Sequence, residues 1–293
     1  MRRTALTLLT STAAAAAVFA TAAPALADHG ALTVTGLTVN DRLVTFSAAD
    51  PSKIRTETTI TGLGKHDDVA AIDFRPATGG LYAIVTSKAE GARLFLVDPH
   101  SGAATRVGTA TYPVAGEVSI DFNPTVDRLR VVGSEGTNLR VNPDDGALAA
   151  TDLPLAYAAT DKAAGVVPAI GGVAYTNNDN DAATATTLFD IDAAVERLVV
   201  QNPPNDGVLG TVGALGQPTK DQSTGFDIYT RTTTATNWAF VSLTDKGKTT
   251  FYEIDLTTGQ PITATTPVPG SGKQIAGKQV TDIALAPGQP GFV

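Results

Sequence analysis

The sequence predicts an all-β fold in which one four-stranded unit recurs about five times. Two matching segments, AIDFRP at 71–76 and SIDFNP at 119–124, each open a run of short apolar strands. The turns between these strands contain Asp, Pro and Gly, which accept or preset the backbone dihedrals of hairpins. Successive copies are 48, 53, 53 and 57 residues apart at the equivalent positions Asp73, Asp121, Ala174, Asp227 and Ala284. A period of about 50 residues with four strands per copy is typical of a β-propeller.

The strands of each copy can be followed along the chain. Most of them are apolar on both sides or nearly so, as expected where sheets stack face to face. The predicted strands are 71–76, 80–85 and 93–97 in the second copy, 119–124, 127–132 and 138–141 in the third, 173–177 and 188–192 in the fourth, and 226–229 and 252–255 in the fifth.

The two ends of the chain complement each other. Residues 32–63 resemble the later strands of a unit without its first strand, and 283–287 resembles a first strand with nothing after it. Pairing the two ends in one blade leaves no unpaired edge, which predicts a closed five-bladed propeller. An open solenoid and a sandwich are the alternatives. A sixth blade is a further alternative if residues 147–167 contain one.

The first 27 residues have the pattern of a signal peptide. Arg2 and Arg3 precede an alanine-rich apolar stretch, and Ala25-Leu26-Ala27 supplies a small-residue cleavage site. We therefore expect a secreted, extracellular protein with a mature start at Asp28 and a single propeller domain over 28–293. The general secretory route is favoured over twin-arginine export, because the residues that usually flank the arginine pair are missing.

Composition narrows the set of partners. The net charge is −8, and removing Arg2 and Arg3 makes it −8 − 2 = −10, so the acidic surface disfavours nucleic acid. No second apolar run approaches the length of a membrane span. The chain has no cysteine, which excludes disulfides, thiol nucleophiles and thiolate metal sites. We expect a monomer whose partner is a small polar molecule, a glycan or an envelope protein.

Polar residues concentrate in the third copy. Glu117, Ser119, Asp121 and Asn123 alternate along its first strand and share one face. The two strands that follow place further polar residues, including three arginines, on a face of their own. This pattern indicates either a structural network of ion pairs or recognition of an anionic or polyhydroxylated ligand. The predicted ligand-binding residues are Asp73, Arg75, Asp121, Asn123, Arg128, Arg130, Asn138, Arg140, Tyr175, Asn177, Asn178 and Asp227.

Catalytic and metal motifs are sparse. The oxygen-rich run 177–181 could hold Ca²⁺, but it lacks the glycine and the terminal glutamate of an EF-hand loop, so a solvated turn is favoured and no cofactor is expected. His29, His66 and His100 lie in separate turn-like contexts. Asp73 and Asp121 could form a carboxylate pair like that of a glycosidase.

These observations favour binding without catalysis. The predicted function is recognition of a small polar or anionic ligand, a glycan or a surface protein at the axial mouth of the propeller. A hydrolase, either a calcium-assisted lactonase-like enzyme or a carboxylate-pair glycosidase, is the alternative. A structural module of the cell envelope is a third possibility.

Several strings resemble a known family. They are IDFRP at 72–76, DFNPTVDRLR at 121–130, NLR at 138–140, AYTNN at 174–178 and QNPPNDG at 201–207. These strings are similar to those of a secreted bacterial family known as domain of unknown function 4394, and the resemblance spans about residues 32–287. It implies an exported, propeller-like domain and assigns no activity, cofactor or catalytic residue.

Overall fold

The computed structural model describes residues 32–179, 181, 183–220, 222–262 and 271–289. The predicted signal peptide lies outside the described residues. The chain forms five antiparallel sheets, the blades of a five-bladed β-propeller, so the predicted fold class is confirmed. The described residues contain one short 3₁₀ turn, Pro204–Asp206, and no helix long and apolar enough to cross a lipid bilayer.

The strands are numbered in chain order and each blade is given from the innermost strand outward. Blade 1 contains β21 (Val280–Ala284), β1 (Thr33–Thr38), β2 (Arg42–Ser47) and β3 (Asp50–Thr59). Blade 2 contains β4 (Asp68–Phe74), β5 (Leu81–Ser87), β6 (Gly91–Val97) and β7 (Ala104–Arg106). Blade 3 contains β8 (Val118–Asn123), β9 (Arg128–Gly133), β10 (Asn138–Val141) and β11 (Leu148–Thr151).

The last two blades complete the ring. Blade 4 contains β13 (Ile170–Tyr175), β14 (Leu188–Asp192), β15 (Arg197–Gln201), β16 (Val208–Ala214) and β12 (Ala156–Tyr157). Blade 5 contains β17 (Ser223–Arg231), β18 (Thr236–Asp245), β19 (Lys248–Ile254) and β20 (Lys273–Gln274).

The two ends of the chain share blade 1. Strand β21 pairs antiparallel with β1, with Ala284 opposite Thr35 and Ile283 opposite Gly36. The predicted closure is therefore confirmed, and β1 has no free edge.

The alternative of a sixth blade is not realised. Residues 148–151 form the outer strand of blade 3, and Ala156–Tyr157 pairs in parallel with β16 as a fifth strand of blade 4. The segment therefore links two blades and is too short in strand content to form one of its own.

The core consists of five apolar clusters among the described residues, one between each pair of neighbouring blades. Phe46 of blade 1 packs edge-on against Phe251 of blade 5, and Tyr82 of blade 2 packs in the same way against Phe122 of blade 3. Because every blade is covered on both faces, its strands are apolar on both sides. This arrangement explains the nearly continuous hydrophobic runs in the sequence.

Candidate functional site

One end of the propeller axis opens into a cavity of about 370 Å³. The first residues of all five innermost strands contribute to its wall, because each of these strands begins at this end. Its wall carries carboxylates and hydroxyls and no Lys or Arg side chain among the described residues. The polar lining residues are Thr38, Asp41, Asp68, Thr86, Glu117, Ser223, Thr224, Thr281 and Asp282.

The carboxylates of this axial cavity lie in different environments. Burial, followed by the charges of Asp68 and Asp67, raises the pKa of Asp41, although its carboxylate accepts the backbone N–H of Val69 at 2.9 Å. Burial also raises the pKa of Glu117. The cavity therefore collects negative charge in a partly desolvated space, where electrostatic interactions are stronger than in water.

Three further aspartates meet on the axis. Asp73 of β4, Asp121 of β8 and Asp227 of β17 are buried, and their carboxylate oxygens lie within 4.8 Å of one another. We call them the axial aspartates. They are not part of the cavity wall, because they lie further along the same strands than the residues that line it.

Backbone N–H groups explain why carboxylates are tolerated there. Asp73 accepts the N–H of Phe74 at 2.7 Å and that of Phe122, on the next innermost strand, at 2.9 Å. Asp227 likewise accepts the N–H of Ile228 at 2.6 Å and that of Leu285 at 2.5 Å. Each carboxylate thus joins its own strand to the strand of the next blade.

The same connection recurs around the ring. Asp282 of β21 accepts the N–H of Ile72 in blade 2 at 2.9 Å, and Asp121 accepts the N–H of Tyr175 in blade 4. Between blades 4 and 5 an amide takes over this role. Asn178 donates to the carbonyl of Ile228 and accepts the N–H of Thr230 at 3.1 Å. These contacts hold the five innermost strands at a fixed spacing.

Burial dominates the ionisation of the axial aspartates. It raises the pKa of Asp227 to about 7, despite the two N–H groups that favour the charged form. The pKa values of Asp73 and Asp121 are raised well above the ordinary value by burial first, and then by the charge of Asp227 on Asp73 and of Asp73 on Asp121. Such a group can either share protons or hold a cation.

The axial aspartates are also the candidate carboxylate pair and the candidate metal ligands. Among the described residues they form the group of three acidic side chains whose oxygens could reach one ion. Asp73 and Asp121 are only 6 % and 5 % exposed, so neither is presented to a substrate in the way that a glycosidase pair is.

The arginines of blade 3 lie away from the axial cavity. The register places Arg130 opposite both Asp121 and Arg140, and Arg128 opposite Asn123, which confirms that these strands share one polar face. That face packs against blade 4. It surrounds a second cavity of about 210 Å³ at the opposite ends of the innermost strands.

The twelve predicted ligand-binding residues fall into three groups. Six of them lie together between blades 3 and 4, namely Asn123, Arg128, Arg130, Asn138, Arg140 and Tyr175. Three are the axial aspartates. The other three connect blades: Arg75 pairs with Asp127 and Asp144 of blade 3, and Asn177 and Asn178 bond Asn237 and Thr230 of blade 5.

The oxygen-rich run 177–181, the alternative site for Ca²⁺, forms local turns where it is described. Asp179 accepts the N–H of Asp181 at 3.0 Å, and Asp181 accepts that of Ala183 at 2.9 Å. Asn180 lies outside the described residues. The preference for a solvated turn without a bound calcium ion stays a prediction.

The twelve predicted ligand-binding residues include none of the nine polar residues that line the axial cavity, among them Asp41, Asp68, Thr224 and Asp282. Asp282 lies two residues before the repeat position of its strand, which Ala284 occupies, so the repeat alignment passed over it. Asp41 is in the turn between β1 and β2 and has a positive φ of 52°, a conformation that Asp tolerates better than most residues. The one pattern in the sequence that points to the axial cavity is that acidic residues lie near the start of innermost strands.

The fold and the axial arrangement define a five-bladed β-propeller whose innermost strands are joined by buried carboxylates. The chain belongs to the family described as Domain of unknown function (DUF4394), whose profile matches residues 42–284. No curated protein sequence matches the chain.

Solved structures show likeness in fold. A structural genomics protein of unknown function from Bacteroides thetaiotaomicron VPI-5482 is 16 % identical, with a TM-score of 0.51, over 90 % of this chain and 65 % of that one. An auxiliary nutrient binding protein from Bacteroides ovatus ATCC 8483 is 13 % identical, with a TM-score of 0.44, over 70 % of this chain and 55 % of that one. The chain thus spans less than two thirds of either solved protein.

Proposed function

We propose that this chain is an exported propeller that binds a small polar cation, an amine carrying hydroxyl groups, in the axial cavity without catalysis. One observation carries the proposal. The single cavity wall to which all five innermost strands contribute is lined by carboxylates and hydroxyls and, among the described residues, by no cationic side chain.

Charge selects the class of ligand. Asp41, Asp68 and Glu117 contribute carboxylates to the wall, and the buried Asp282 lines it as well. An ammonium group gains from this potential, whereas an anion is repelled by it. The volume of about 370 Å³ falls within the range of small-molecule sites.

The hydroxyls supply the polar contacts. Thr224 is buried, lines the cavity, and has no hydrogen-bond partner for its Oγ1 among the described residues. A buried hydroxyl without a partner costs about 1–3 kcal/mol, and a ligand hydroxyl beside it would recover part of that cost. Thr281 and Ser223 lie on the same wall.

Three six-carbon polyhydroxy ligands that differ at C1 test the proposal: glucamine carries an amine there, sorbitol a hydroxyl and gluconate a carboxylate. Titration calorimetry on the purified protein at neutral pH and low salt should show binding of glucamine and weaker binding of sorbitol, and gluconate should not displace glucamine from this cavity. Loss of a charge-assisted hydrogen bond should make Glu117→Gln bind glucamine about tenfold more weakly.

Glu196→Gln is the matched control. Glu196 is exposed in the turn between β14 and β15, and this substitution removes the same charge as Glu117→Gln. It should leave glucamine affinity unchanged. Equal effects of the two variants, or equal affinity for glucamine and sorbitol, would overturn the proposal.

Export has its own test. The signal-like pattern of residues 1–27 supports it, and intact mass of the protein recovered outside the cytoplasm should correspond to a chain that begins at Asp28. A chain that stays in the cytoplasm with Met1 in place would contradict export while leaving ligand binding open to measurement.

A further inference from the structure

The second cavity lies between blades 3 and 4 and differs from the axial cavity in charge. It has a volume of about 210 Å³. Three guanidinium groups reach it, from Arg128 and Arg130 of β9 and Arg140 of β10. Tyr175, Pro204 and Val126 give it a partly apolar wall.

The positive charge in this cavity is not balanced by the carboxylates around it. Asp152 accepts Nη1 of Arg130 at 2.7 Å, and it also accepts Nε and Nη2 of Arg140 at 2.8 and 2.9 Å. One carboxylate therefore serves two guanidiniums. Arg128 donates Nη1 to the backbone carbonyl of Asp127 at 2.7 Å and has no carboxylate partner among the described residues.

The nearby acidic groups do not remove this excess. The carboxylate of Asp127 is occupied by Arg75, to which it binds through both oxygens. Asp190 is fully buried, and neither of its oxygens has a hydrogen-bond partner in the described part of the chain. Burial raises its pKa well above the ordinary value, which favours the neutral form.

The donors are held in place before any ligand arrives. Arg130 donates Nε to the Tyr175 hydroxyl at 3.1 Å, Nη1 to Asn138 at 2.6 Å and Nη2 to Asn205 at 2.8 Å, so its side chain is fixed on three sides. Arg140 is fixed by Asp152 and still has free N–H groups, because a guanidinium carries five. Fixed donors lower the entropy that a ligand must lose on binding.

We infer that the cavity between blades 3 and 4 is a second ligand site, specific for a small organic anion whose carboxylate or phosphate group is bound by Arg128 and Arg140. Planar guanidiniums match the geometry of such oxyanions, and the apolar wall accommodates the carbon chain of the ligand. This site is independent of the axial cavity and prefers ligands of the opposite charge.

The test measures binding of gluconate, inorganic phosphate and sorbitol to the intact protein by titration calorimetry at low salt. Gluconate should bind without displacing sorbitol, whose weak binding belongs to the axial cavity, and competition by phosphate would show that the site takes any small oxyanion. Arg128→Gln should weaken gluconate binding about tenfold, since a hydrogen bond between charged groups is lost.

Arg55→Gln is the matched control, because Arg55 is an exposed arginine of blade 1 that donates to Thr33 Oγ1. A second variant, Val126→Glu, places a negative charge at the exposed rim and leaves the arginine network intact, so it should abolish gluconate binding. Absence of anion binding to the wild type, or equal weakening by Arg128→Gln and Arg55→Gln, would overturn the inference.

Discussion

Single carboxylates decide much of the chemistry at the axis. An aspartate there gains one or two backbone N–H bonds, which favour its charged form, and loses hydration, which disfavours it. Desolvation is the larger effect for Asp73, Asp121 and Asp227, because each is enclosed by the innermost strands and lies close to the other two. The residues that connect the blades are therefore also those that respond to pH.

Stability should fall as pH rises from 5 to 8. The pKa of Asp227 is about 7 in the folded protein and 3.8 as its ordinary value, so the folded state binds more protons between these two values. The stabilisation that Asp227 contributes is fully present below pH 3.8 and is lost as the pH rises through about 7. Carboxylates with a lowered pKa, such as Asp67 beside Arg93, act only at more acidic pH and do not change this interval.

Urea denaturation at pH 5 and pH 8, with a chelator present, measures this effect as a change in the free energy of unfolding. Asp227→Asn should reduce the difference between the two pH values, whereas the exposed control Asp245→Asn should keep it. A wild-type protein that is equally stable, or more stable, at pH 8 would contradict the assignment of a raised pKa.

At the scale of elements, close approach of the innermost strands is the deciding feature. Strand β17 passes close to the backbone of β21, and Gly225 of β17 is the residue that permits this contact. A Cβ added to Gly225 would lie 2.7 Å from the Cα of Asp282 and 2.6 Å from the Oγ of Ser242. Here glycine serves packing, and its backbone freedom is not required.

Gly225→Ala should therefore destabilise the protein by about 1–3 kcal/mol, the usual range for overpacking. Gly210→Ala on β16 is the control, because its added Cβ would make an ordinary contact with Val200 at 3.4 Å. That control should be neutral or slightly stabilising. Both values come from urea denaturation, and equal values for the two variants would show that the innermost strands can separate without loss.

At the scale of the whole molecule, the ring is closed by one short strand. Strand β21 pairs with β1, and its Ile283 is buried against blade 5. The carboxylate of Asp282, also on β21, accepts the backbone N–H of Ile72 in blade 2. Every blade thus has two neighbours, and each interface depends on the others. We expect the propeller to unfold as one cooperative unit.

Ile283→Ala should cost about 2–5 kcal/mol, the range for deleting a buried aliphatic side chain, and should keep a single transition. Fluorescence of Trp238, the sole tryptophan, reports on blade 5, and far-ultraviolet circular dichroism reports on all blades. The two curves should coincide. Separate transitions would mean that blade 5 unfolds on its own, and a loss as small as that of exposed Leu96→Ala would mean that closure contributes little.

Much of the fold could be predicted because its signals are local. The recurrence of AIDFRP and SIDFNP gave the period, and the turn residues gave the strand boundaries. The lone strand near Ile283 gave the closure. Part of the second cavity was also accessible, since alternation along one strand correctly placed Arg128 and Arg130 on one face.

The sequence by itself determined the number of blades, their closure and which side chains share a face, because these follow from periodicity along the chain. Only the tertiary structure decided which end of each innermost strand faces which cavity. In the folded chain the acid-lined axial cavity lies apart from the arginine-lined cavity. Arg75 and Asn178 form contacts between neighbouring blades. The physical reason is that distances between blades depend on how the sheets pack, and no pattern within a single repeat specifies them.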